Sequence, residues 1–317
     1  MPDLSVVVVN YNTREQTSEG LASVLEASPG IDVELIVVDN GSADGSVAAF
    51  RERFPAATVI DAGENLGFAR GVNLGAREAS SEWILLLNPD TVTLPGSLRA
   101  LLDFARAHPE YGVFGGRTLR PDGTVDPSSC WGAPSLWSLT MFATMLSTAF
   151  RRSAVFDPES LGRWQRDSVR EVPIITGCLL LVRTDDWRRL DGMDEDYFLY
   201  GEDAEFSMRA DRAGLRRVVV PDAVIVHEVG GSSDAGGAKG CMVMAGKVTH
   251  LRKTWSPVRA AVGVRLLLAG VGVRAALERA TRRSRAPWST VWRRRRDWLD
   301  GYPAAEATLF GRDLASA

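Results

Sequence analysis

The sequence predicts an α/β protein built on a doubly wound, mostly parallel sheet flanked by helices. Continuous apolar runs such as "LSVVVV" (4–9) and "VELIVVD" (33–39) are typical of parallel strands buried on both faces. Over the first 115 residues such runs alternate with helical stretches, which is the pattern of parallel strands joined by crossover helices. A chain of 317 residues, 45% hydrophobic and 24% charged, has the composition of a soluble globular protein with a large core.

The elements follow one another in the order that this fold requires. Strands are predicted at 4–9, 33–39, 57–62 and 83–88, and helices at 14–27, 45–54, 68–80 and 96–108. A hairpin turn is predicted at 121–123 and an apolar helical segment at 136–150. Beyond these, the patterns predict a buried strand at 172–182, a helix near 184–190, a helix at 203–213 and two short strands within 215–231. From about Ala238 the pattern is helical and basic.

Polar residues follow each of the first four strands. They are Asn10-Tyr11-Asn12, Asp39-Asn40-Gly41-Ser42, Gly63-Glu64-Asn65 and Asn88-Pro89-Asp90. Ligands of doubly wound sheets bind beyond the carboxyl ends of the strands, where these residues should meet. Each group alone also fits an ordinary turn, because Asx and Gly are turn residues. The four groups together favour a ligand site at this edge.

Asp90 and His227 are candidates for a metal site at the same edge. Asp90 follows an apolar strand and Pro89, in a tight turn where a carboxylate suits a hard cation such as Mg²⁺ or Mn²⁺. His227 ends the strand "AVIV", whereas His108 and His250 lie in predicted helices with no motif around them. A lone histidine is more often structural than a ligand, but the position of His227 at a strand end makes the two interpretations about equal, so both stay open.

The stretch "YFLYGEDAEF" (197–206) places three acids at a predicted helix start. Acids are common there because they favour the positive end of a helix, and Asp203 would also serve as a cap. At about 100° per residue, Asp203 shares a face with the apolar Phe206, Glu202 lies near the edge of that face, and Glu205 is expected on a solvated side. Asp203 is therefore the acid best placed to act as an inward base, and capping does not exclude that role.

The C-terminal part is strongly basic, although the net charge of the chain is only −3. Residues 251–300 contain 13 Lys/Arg and 3 Asp/Glu. This asymmetry indicates an anionic partner, either a membrane surface or nucleic acid, and nucleic acid is disfavoured because no binding motif accompanies the arginines. The apolar segment 260–277 is interrupted by Arg265 and Arg274, so it is predicted to be too short and too charged to span a bilayer, although it could lie on one.

A second membrane signal is the stretch "PWSTVWRRRRDWLDGY" (287–302). On a helix its apolar side would comprise Trp288, Val291, Trp292, Trp298 and Leu299. Tryptophan beside arginine is the composition of an interfacial helix, and a packing helix with a solvated face fits the pattern equally well.

Several protein classes are disfavoured by missing patterns. The cysteines Cys130, Cys178 and Cys241 are far apart and odd in number, which supports neither a disulfide framework nor a zinc ribbon and fits a reducing compartment. The N-terminus lacks the pattern of a signal peptide. No G-x-G-x-x-G follows the first strand, which disfavours a dehydrogenase.

Six stretches together resemble a known family, the inverting family 2 glycosyltransferases of GT-A fold. They are "VVVVNYN", "IVVDNGSADGS", "ENLGFARGVNLGA", "LLLNPDT", "GCLLLVR" and "YFLYGEDAEF". They look most like the rhamnosyltransferase branch that acts in bacterial cell-wall and polysaccharide assembly. The resemblance covers about residues 4–255 in the right order, and this combination is specific although each motif alone is weak.

The resemblance implies a role for each candidate residue. Asn10, Tyr11, Asn12 and Asp39 would line the pocket of the nucleotide base, and Asn65, Arg70 and Asn73 would border the nucleotide and its diphosphate. Asp90 matches the metal-binding carboxylate of the D-x-D motif, His227 the histidine that completes the metal site, and Asp203 the general base, with Glu202 in support. Asn88 stands where the family usually has the first Asp, and it would bind the ribose hydroxyl without adding charge for the metal.

The implied activity is metal-assisted inverting transfer of a sugar, such as L-rhamnose or another deoxysugar, from a dTDP- or UDP-sugar. The acceptor would be a hydroxyl of a glycan or of a polyprenyl-diphosphate-linked sugar, and the metal Mg²⁺ or Mn²⁺. The protein would be cytoplasmic and peripheral on the inner face of the plasma membrane, with residues 258–300 against the anionic lipid. Residues 1–115 would bind the nucleotide sugar, 116–237 would bind the acceptor and catalyse, and 238–317 would form a basic helical extension.

Two alternatives come from other classes. A sugar-phosphate nucleotidyltransferase would carry a Gly-rich signature with Arg or Lys after the first strand, and "NYNTREQ" is not such a signature. A non-catalytic nucleotide-sugar-binding scaffold at the membrane would tolerate the loss of Asp203 or Asp90, and both are present.

Overall fold

A computed structural model describes residues 1–227, 237–281 and 287–310. These residues pack into two compact units. The first unit contains Met1–Trp131, Gln165–Asp194 and the chain from Phe206 to the end of its last strand at His227. The second contains Gly132–Trp164, Glu195–Glu205 and the described C-terminal helices. The three-part division predicted from the sequence concerns function and stays a prediction.

Within the described residues, the first unit is built on a nine-stranded mixed sheet. Its strands are β1 (Leu4–Asn10), β2 (Val33–Asp39), β3 (Thr58–Asp61), β4 (Trp83–Leu87), β5 (Thr91–Thr93), β6 (Tyr111–Leu119), β8 (Arg170–Glu171), β10 (Leu179–Arg183) and β11 (Arg216–His227), while β7 (Cys130–Trp131) and β9 (Ile174–Ile175) form a separate pair. The order is β3-β2-β1-β4-β10-β6-β11-β5, with β8 paired to β11. The four strands β1 to β4 run parallel, and β6 runs parallel to β11. The predicted α/β fold with a parallel core is confirmed.

The helices of both units are α1 (Arg14–Glu26), α2 (Ser46–Arg53), α3 (Phe68–Ala76), α4 (Ser97–Ala107), α5 (Leu136–Ala143), α6 (Leu146–Ala149), α7 (Thr184–Arg189), α8 (Glu202–Arg212), α9 (Gly237–Thr254), α10 (Pro257–Ala280), α11 (Pro287–Arg293), α12 (Arg295–Trp298) and α13 (Ala304–Phe310). The helices α1 to α4 alternate with strands of the sheet, and α9 to α13 follow the last strand. The first four match the predicted helices, except that α3 ends earlier. It ends at Ala76 because the next turn is tightened by hydrogen bonds between residues three apart, such as the one from Glu78 N to Gly75 O.

The polar residues predicted to meet at one edge do so. Asn10 is the register partner of Asp39, which is in turn the partner of Asp61, so the last residues of β1, β2 and β3 form one row. Leu87, the last residue of β4, pairs with Val8, which brings Asn88 to the same edge. Since β11 runs in the same direction as β4 through two antiparallel pairings, its last residue also lies at this edge. We call it the carboxyl edge.

Two glycines bring α3 directly onto the sheet. A Cβ atom on Gly75 would lie 2.7 Å from Val7 Cγ1 and 3.0 Å from Val38 Cγ2. A Cβ atom on Gly71 would lie 3.0 Å from Val9 Cγ1. Because these positions are four residues apart, they line one face of the helix. The "ARGVNLGA" pattern therefore sets how closely α3 approaches β1 and β2.

Three predicted elements differ from the structure. The strand at 172–182 is interrupted, because Thr176 leaves the ladder and its backbone N–H and hydroxyl donate to the carbonyls of Ser129 and Ser128. The two short strands within 215–231 are one continuous strand, β11, with a register shift around Pro221, which has no N–H to donate to a ladder; residues 228–231 lie outside the described chain. The helix at 136–150 is divided at Met145, whose φ is 65°.

The second unit has its own apolar core. Its fully buried members include Leu139, Tyr197, Val248, Val271, Val291 and Trp298. Trp288, Trp292 and Leu299 pack against this core, so the apolar side of 287–302 faces inward. The packing interpretation of this stretch is confirmed, and its tryptophans do not form a membrane-facing side.

The helix α10 is longer than the sequence analysis allowed. It runs over 24 residues, and with a mean hydropathy of 1.7 it is, within the described chain, the one helix long and apolar enough to cross a membrane by these two criteria. It packs against α5, α9 and α11 of its own unit, and 39% of its apolar stretch is buried there.

Candidate active site

The first part of the carboxyl edge is a hydrogen-bonded network around Asn10. Its side-chain amide donates to Asp39 Oδ2 at 2.6 Å and to Ser42 Oγ at 3.0 Å. Its carbonyl oxygen accepts from the hydroxyls of Thr13 and Thr17 at 2.9 and 2.8 Å. These four bonds use the full capacity of the amide, so Asn10 organises the edge.

Asp39 is held between this amide and the next turn. Its Oδ1 accepts from the backbone N–H of Ser42 at 2.8 Å, and the residue is fully buried. The carboxylate retains free lone pairs. Because Asp39 is fully buried, the predicted contact with a nucleotide base would require the residues over its carboxylate to move.

Tyr11 and Asn12 are the exposed members of this group. Tyr11 is 44% exposed. Asn12 adopts a positive φ of 54°, and its side-chain oxygen accepts from Ala43 N at 2.8 Å. The loops after β1 and β2 are thus tied together, which leaves the Tyr11 ring as a surface on which a base could stack.

The three candidates around α3 have different surroundings. Asn65 accepts from Gly67 N at 3.0 Å and so forms the turn before the helix. Arg70 is half-buried in the first turn of α3. The amide of Asn73 exchanges two hydrogen bonds of 2.8 Å with the backbone of Met193, so Asn73 positions that segment. Their predicted nucleotide contacts stay predictions.

The turn after β4 carries Asn88 and Asp90. Asn88 donates from its side chain to Cys178 Sγ at 3.4 Å, and its carbonyl accepts from Thr91 Oγ1 at 2.7 Å. The side chain of Asp90 is 10% exposed. The turn therefore fixes the Asp90 carboxylate close to the surface of the edge.

Asp90 and His227 are brought together, as the sequence predicts. Nε2 of His227 lies 3.1 Å from Oδ1 of Asp90, across 137 residues of sequence. The strands align this pair, because His227 is the register partner of Thr91 in the antiparallel pairing of β11 with β5.

Asp126 is a further acid of this group that sequence reasoning missed. Its Oδ2 lies 3.6 Å from Nδ1 of His227, and its side chain is 6% exposed. Its Oδ1 accepts from Ser128 N at 3.0 Å. In the sequence Asp126 precedes Pro127 and has the appearance of a turn residue. The one sequence signal that could have found it is the predicted hairpin turn at 121–123, because that turn returns the chain along β6 and so brings Asp126 near β11.

The two acids control the protonation of the histidine. Burial alone would lower the pKa of His227, but the contacts and charges of Asp126 and Asp90 outweigh it and raise the pKa to about 9. Burial likewise acts to raise the pKa of Asp126, and the contacts with His227 and Ser128 reverse this and lower it. Without a metal the His227 ring is therefore protonated on both nitrogens and positively charged at neutral pH.

The Asp90–His227 pair has the spacing of two metal ligands. Neighbouring ligands of an octahedral Mg²⁺ shell, each about 2.0–2.1 Å from the ion, lie about 3 Å apart. The observed 3.1 Å fits two such positions. Over the described residues no group of three or more His, Cys, Asp or Glu side chains has the arrangement of a complete site, so the other ligands would come from diphosphate oxygens and water. Next to this pair, Asp126 Oδ2 and the other ring nitrogen of His227, Nδ1, are buried and have no hydrogen-bond partner.

The three acids at the start of α8 belong to the second unit. Asp203 is half-buried, and its Oδ1 accepts from Ala204 N at 2.7 Å; as the second residue of α8 it lies in the first turn and not at the N-cap position. Glu202 is 5% exposed, and its Oε2 has no hydrogen-bond partner. Burial, followed by the charge of Asp203, raises the pKa of Glu202 to about 8, so Glu202 is protonated at neutral pH.

The expectation for Glu205 is wrong. Glu205 is 7% exposed rather than solvated. Arg209, its predicted companion on a solvated side, donates to the carbonyls of Leu190 and Gly192. A helical projection gives direction only, and here the side that carries Glu205 is covered as well.

Comparisons with known proteins agree with this architecture. Residues 5–161 match the model of the family "Glycosyl transferase family 2". An N-acetylglucosaminyl-diphospho-decaprenol L-rhamnosyltransferase of Mycobacterium tuberculosis is 33% identical over 243 residues, which are 71% of this chain and 75% of that protein. The low-salt glycan biosynthesis hexosyltransferase Agl10 of Haloferax volcanii is 25% identical over 68% of this chain and 64% of its own length. Among solved structures, this chain superposes on the mannosyltransferase PcManGT of Pyrobaculum calidifontis, determined in complex with GDP-Man and Mn²⁺, with a TM-score of 0.56 at 20% identity. The superposition covers 99% of this chain and 90% of the mannosyltransferase chain.

Proposed function

Because the chain belongs to glycosyl transferase family 2 and is a glycosyltransferase, we propose that it transfers L-rhamnose or a related deoxysugar from a nucleotide diphosphate with inversion. The acceptor is a hydroxyl of a sugar linked to a polyprenyl diphosphate. The observation that carries this proposal is the Asp90–His227 pair at the carboxyl edge, where ligands of such sheets bind. The mycobacterial rhamnosyltransferase supports the choice of sugar and of acceptor. Family membership sets aside the nucleotidyltransferase and the scaffold alternatives.

On the donor side, Asp90 and His227 would hold a divalent cation through Oδ1 and Nε2. Mg²⁺ or Mn²⁺ bound there would neutralise the charge that develops on the departing diphosphate. Asn88 is neutral, so Asp90 supplies the full negative charge of this turn. Asp126 would hold the His227 ring through Nδ1 and leave Nε2 to face the cation.

On the acceptor side, Asp203 would take the proton of the attacking hydroxyl. A sugar hydroxyl is a poor nucleophile near neutral pH, and a carboxylate within hydrogen-bond reach removes its proton during attack. The bond between the acceptor oxygen and the anomeric carbon forms as the bond from that carbon to the diphosphate breaks, and the diphosphate leaves with the electron pair. Attack from the opposite side inverts the anomeric centre. Glu202, whose pKa is raised to about 8, stays protonated near pH 7 and so is not the base.

An Asp203→Asn variant tests the role of the base. We expect unchanged affinity for the nucleotide sugar and a loss of turnover of about 10²- to 10⁴-fold, which is the usual contribution of a general base. Affinity is measured by calorimetry and turnover by sugar transfer to a polyprenyl-diphosphate-linked acceptor. Asp211→Asn, at the exposed end of the same helix, is the matched control. Retained turnover in Asp203→Asn removes Asp203 from this role.

The donor is identified by a thermal-shift panel. UDP-, GDP- and dTDP-sugars are compared with Mg²⁺, with Mn²⁺ and with a chelator, because a ligand that binds only the folded chain raises its melting temperature. We expect dTDP-rhamnose to give the largest metal-dependent shift. A larger shift with another sugar corrects the donor, and no shift with any nucleotide sugar contradicts the proposal.

A further inference from the structure

The helix α10 is apolar on both sides, although one side faces solvent. Its buried side includes Leu267, Val271 and Ala275. Its exposed residues include Val258, Val262, Val273 and Leu277, which are 78%, 40%, 41% and 47% exposed. At about 100° per residue these four fall within an arc of about 100° and form one stripe. We call this stripe the outer face of α10. A surface helix in water normally has a polar outer face.

The exposed charged residues of α10 are all positive. Arg259, Arg265 and Arg279 are exposed, while Glu278, the acid of this helix, is buried and accepts from the backbone N–H groups of Trp288 and Ser289 at 3.3 and 2.8 Å. Within the described chain, Arg265 and Arg279 make neither a hydrogen bond nor an ion pair. Two unpaired arginines among apolar side chains are suited to a surface that is anionic above and apolar below.

A cleft of about 440 Å³ opens beside the start of α10. It is lined by Arg252, Pro257, Ala260, Ala261, Val264 and Arg265. Its two guanidinium groups stand against an apolar wall, and that of Arg252 also donates to the carbonyl of Asp300 and lies 3.9 Å from the Asp300 carboxylate. A phosphate headgroup over a hydrocarbon chain has the same division of charge and apolar surface.

The other side of α10 ties the helix to its own unit. The guanidinium of Arg274 is 6% exposed and donates to the carbonyls of Phe142 and Gly270 and to Thr148 Oγ1, at 2.6, 3.1 and 2.9 Å. It also lies over the ring of Phe142, 3.8 Å from its centroid. Crossing a bilayer would break these contacts and expose a charge to hydrocarbon. These contacts favour a helix that rests on a bilayer surface over one that spans the bilayer.

We propose that the outer face of α10 docks on the anionic surface of a lipid bilayer, with the cleft at Arg252 and Arg265 receiving a phosphate headgroup. The valines and Leu277 enter the boundary of the acyl chains, and the arginines remain at the level of the headgroups. This inference depends neither on the donor nor on the sugar transferred.

Vesicle flotation of the full chain tests the proposal. We expect binding to phosphatidylcholine vesicles that contain phosphatidylglycerol, weak binding to phosphatidylcholine alone, and a loss of binding at high salt. The double variant Val262→Asp/Val273→Asp should no longer float. The variants Arg265→Gln and Arg279→Gln should each bind about fivefold more weakly, as expected for one basic residue at such a surface.

The controls are chosen from the first unit. Val169→Asp introduces the same charge at a valine that is 49% exposed, and Arg188→Gln removes an exposed arginine. Both should float like the unchanged chain, and circular dichroism should show all variants folded. No flotation of the unchanged chain, or equal flotation of Val262→Asp/Val273→Asp and Val169→Asp, would overturn the proposal. A dimer in sedimentation that Val262→Asp/Val273→Asp dissociates would identify a second copy as the occupant and equally refute a lipid surface.

Discussion

Oδ2 of Asp126 lies 3.6 Å from Nδ1 of His227, while Nε2 of the same ring lies 3.1 Å from Asp90. An acid at Nδ1 keeps a hydrogen on that nitrogen when the ring is neutral, so the lone pair of Nε2 can then bind a ligand. Asp126 belongs to the segment that returns from β6, and His227 to the end of β11, so the hairpin controls the orientation of the imidazole.

The variant Asp126→Asn should weaken binding of Mn²⁺ by about 10- to 100-fold without unfolding the chain. An asparagine that still accepts from Ser128 N turns its NH₂ group toward Nδ1 of His227. This favours the tautomer that carries its hydrogen on Nε2, which then cannot bind a metal. The affinity is measured by calorimetry in the presence of a nucleoside diphosphate, and the tautomer by nitrogen NMR of the histidine.

The matched control for this change is Asp122→Asn, an acid on the exposed turn of the same hairpin. It should leave both the affinity and the tautomer unchanged. Unaltered Mn²⁺ binding in Asp126→Asn would mean that Asp126 only closes the hairpin.

Metal binding should release a proton below pH 9. The pKa of His227 without a metal is about 9, above its ordinary value of 6.5, so Nε2 must lose its proton before it binds. Affinity should therefore rise as the pH increases from 7 toward 9, by up to about tenfold per pH unit. Calorimetry in buffers of different ionisation enthalpy measures the proton directly. The prediction fails if the heat is independent of the buffer, and His227→Gln should abolish the buffer dependence.

The variant Glu202→Gln should make stability less dependent on pH. Burial and the charge of Asp203 raise the pKa of Glu202 from 4.5 to about 8, so between these values the folded chain holds a proton that the unfolded chain has lost. The free energy of unfolding therefore falls as the pH rises through this window. Glutamine has no such proton, so the variant should lose less stability between pH 5 and pH 8, measured as urea midpoints.

Glu159 provides a control for this experiment, because its pKa is shifted in the direction opposite to that of Glu202. Burial acts to raise the pKa of Glu159, but the charge of Lys247, 2.9 Å away, outweighs it and lowers the pKa. Its ionised form stabilises the fold, so Glu159→Gln should lower stability at pH 8. An equal decline with pH in Glu202→Gln and in the unchanged chain would contradict a buried protonated Glu202.

The variant Gly246→Ala should disturb the segment that leads to Asp203. A Cβ atom there would lie 1.8 Å from the carbonyl oxygen of Tyr200, a backbone atom that cannot move alone. We expect a loss of about 1–3 kcal/mol of unfolding free energy and a fall in kcat that exceeds the change in donor affinity. Gly240→Ala, in the same helix, meets only the end of the Val291 side chain and should cost less. Equal effects of both variants would contradict this close packing.

The parallel core and its polar edge were predictable because they depend on local patterns. Runs such as 33–39 must be buried strands, and the ends of parallel strands must share an edge. That argument correctly brought Asp90 and His227 together. It did not find Asp126, because the return of the hairpin onto β11 is a long-range pairing that leaves no local pattern.

Helical projection was less reliable than strand order. It assigned Glu205 to solvent and left the tryptophans of 287–302 open between a membrane surface and a packed side, and both sets are packed against protein. A projection separates apolar from polar sides, but it does not indicate which neighbour covers a side. The helix α10 carries apolar residues on both its buried and its exposed side, so it left no amphipathic signal in the sequence.

The three cysteines of the chain are all buried. Thiol-directed dyes react with accessible thiolates, so the natural chain should label slowly. A single cysteine placed at Val262 or Val273 would then react well ahead of the natural ones. Quenchers held at known depths in a vesicle could thus measure how far each position enters the lipid, without removal of any natural thiol.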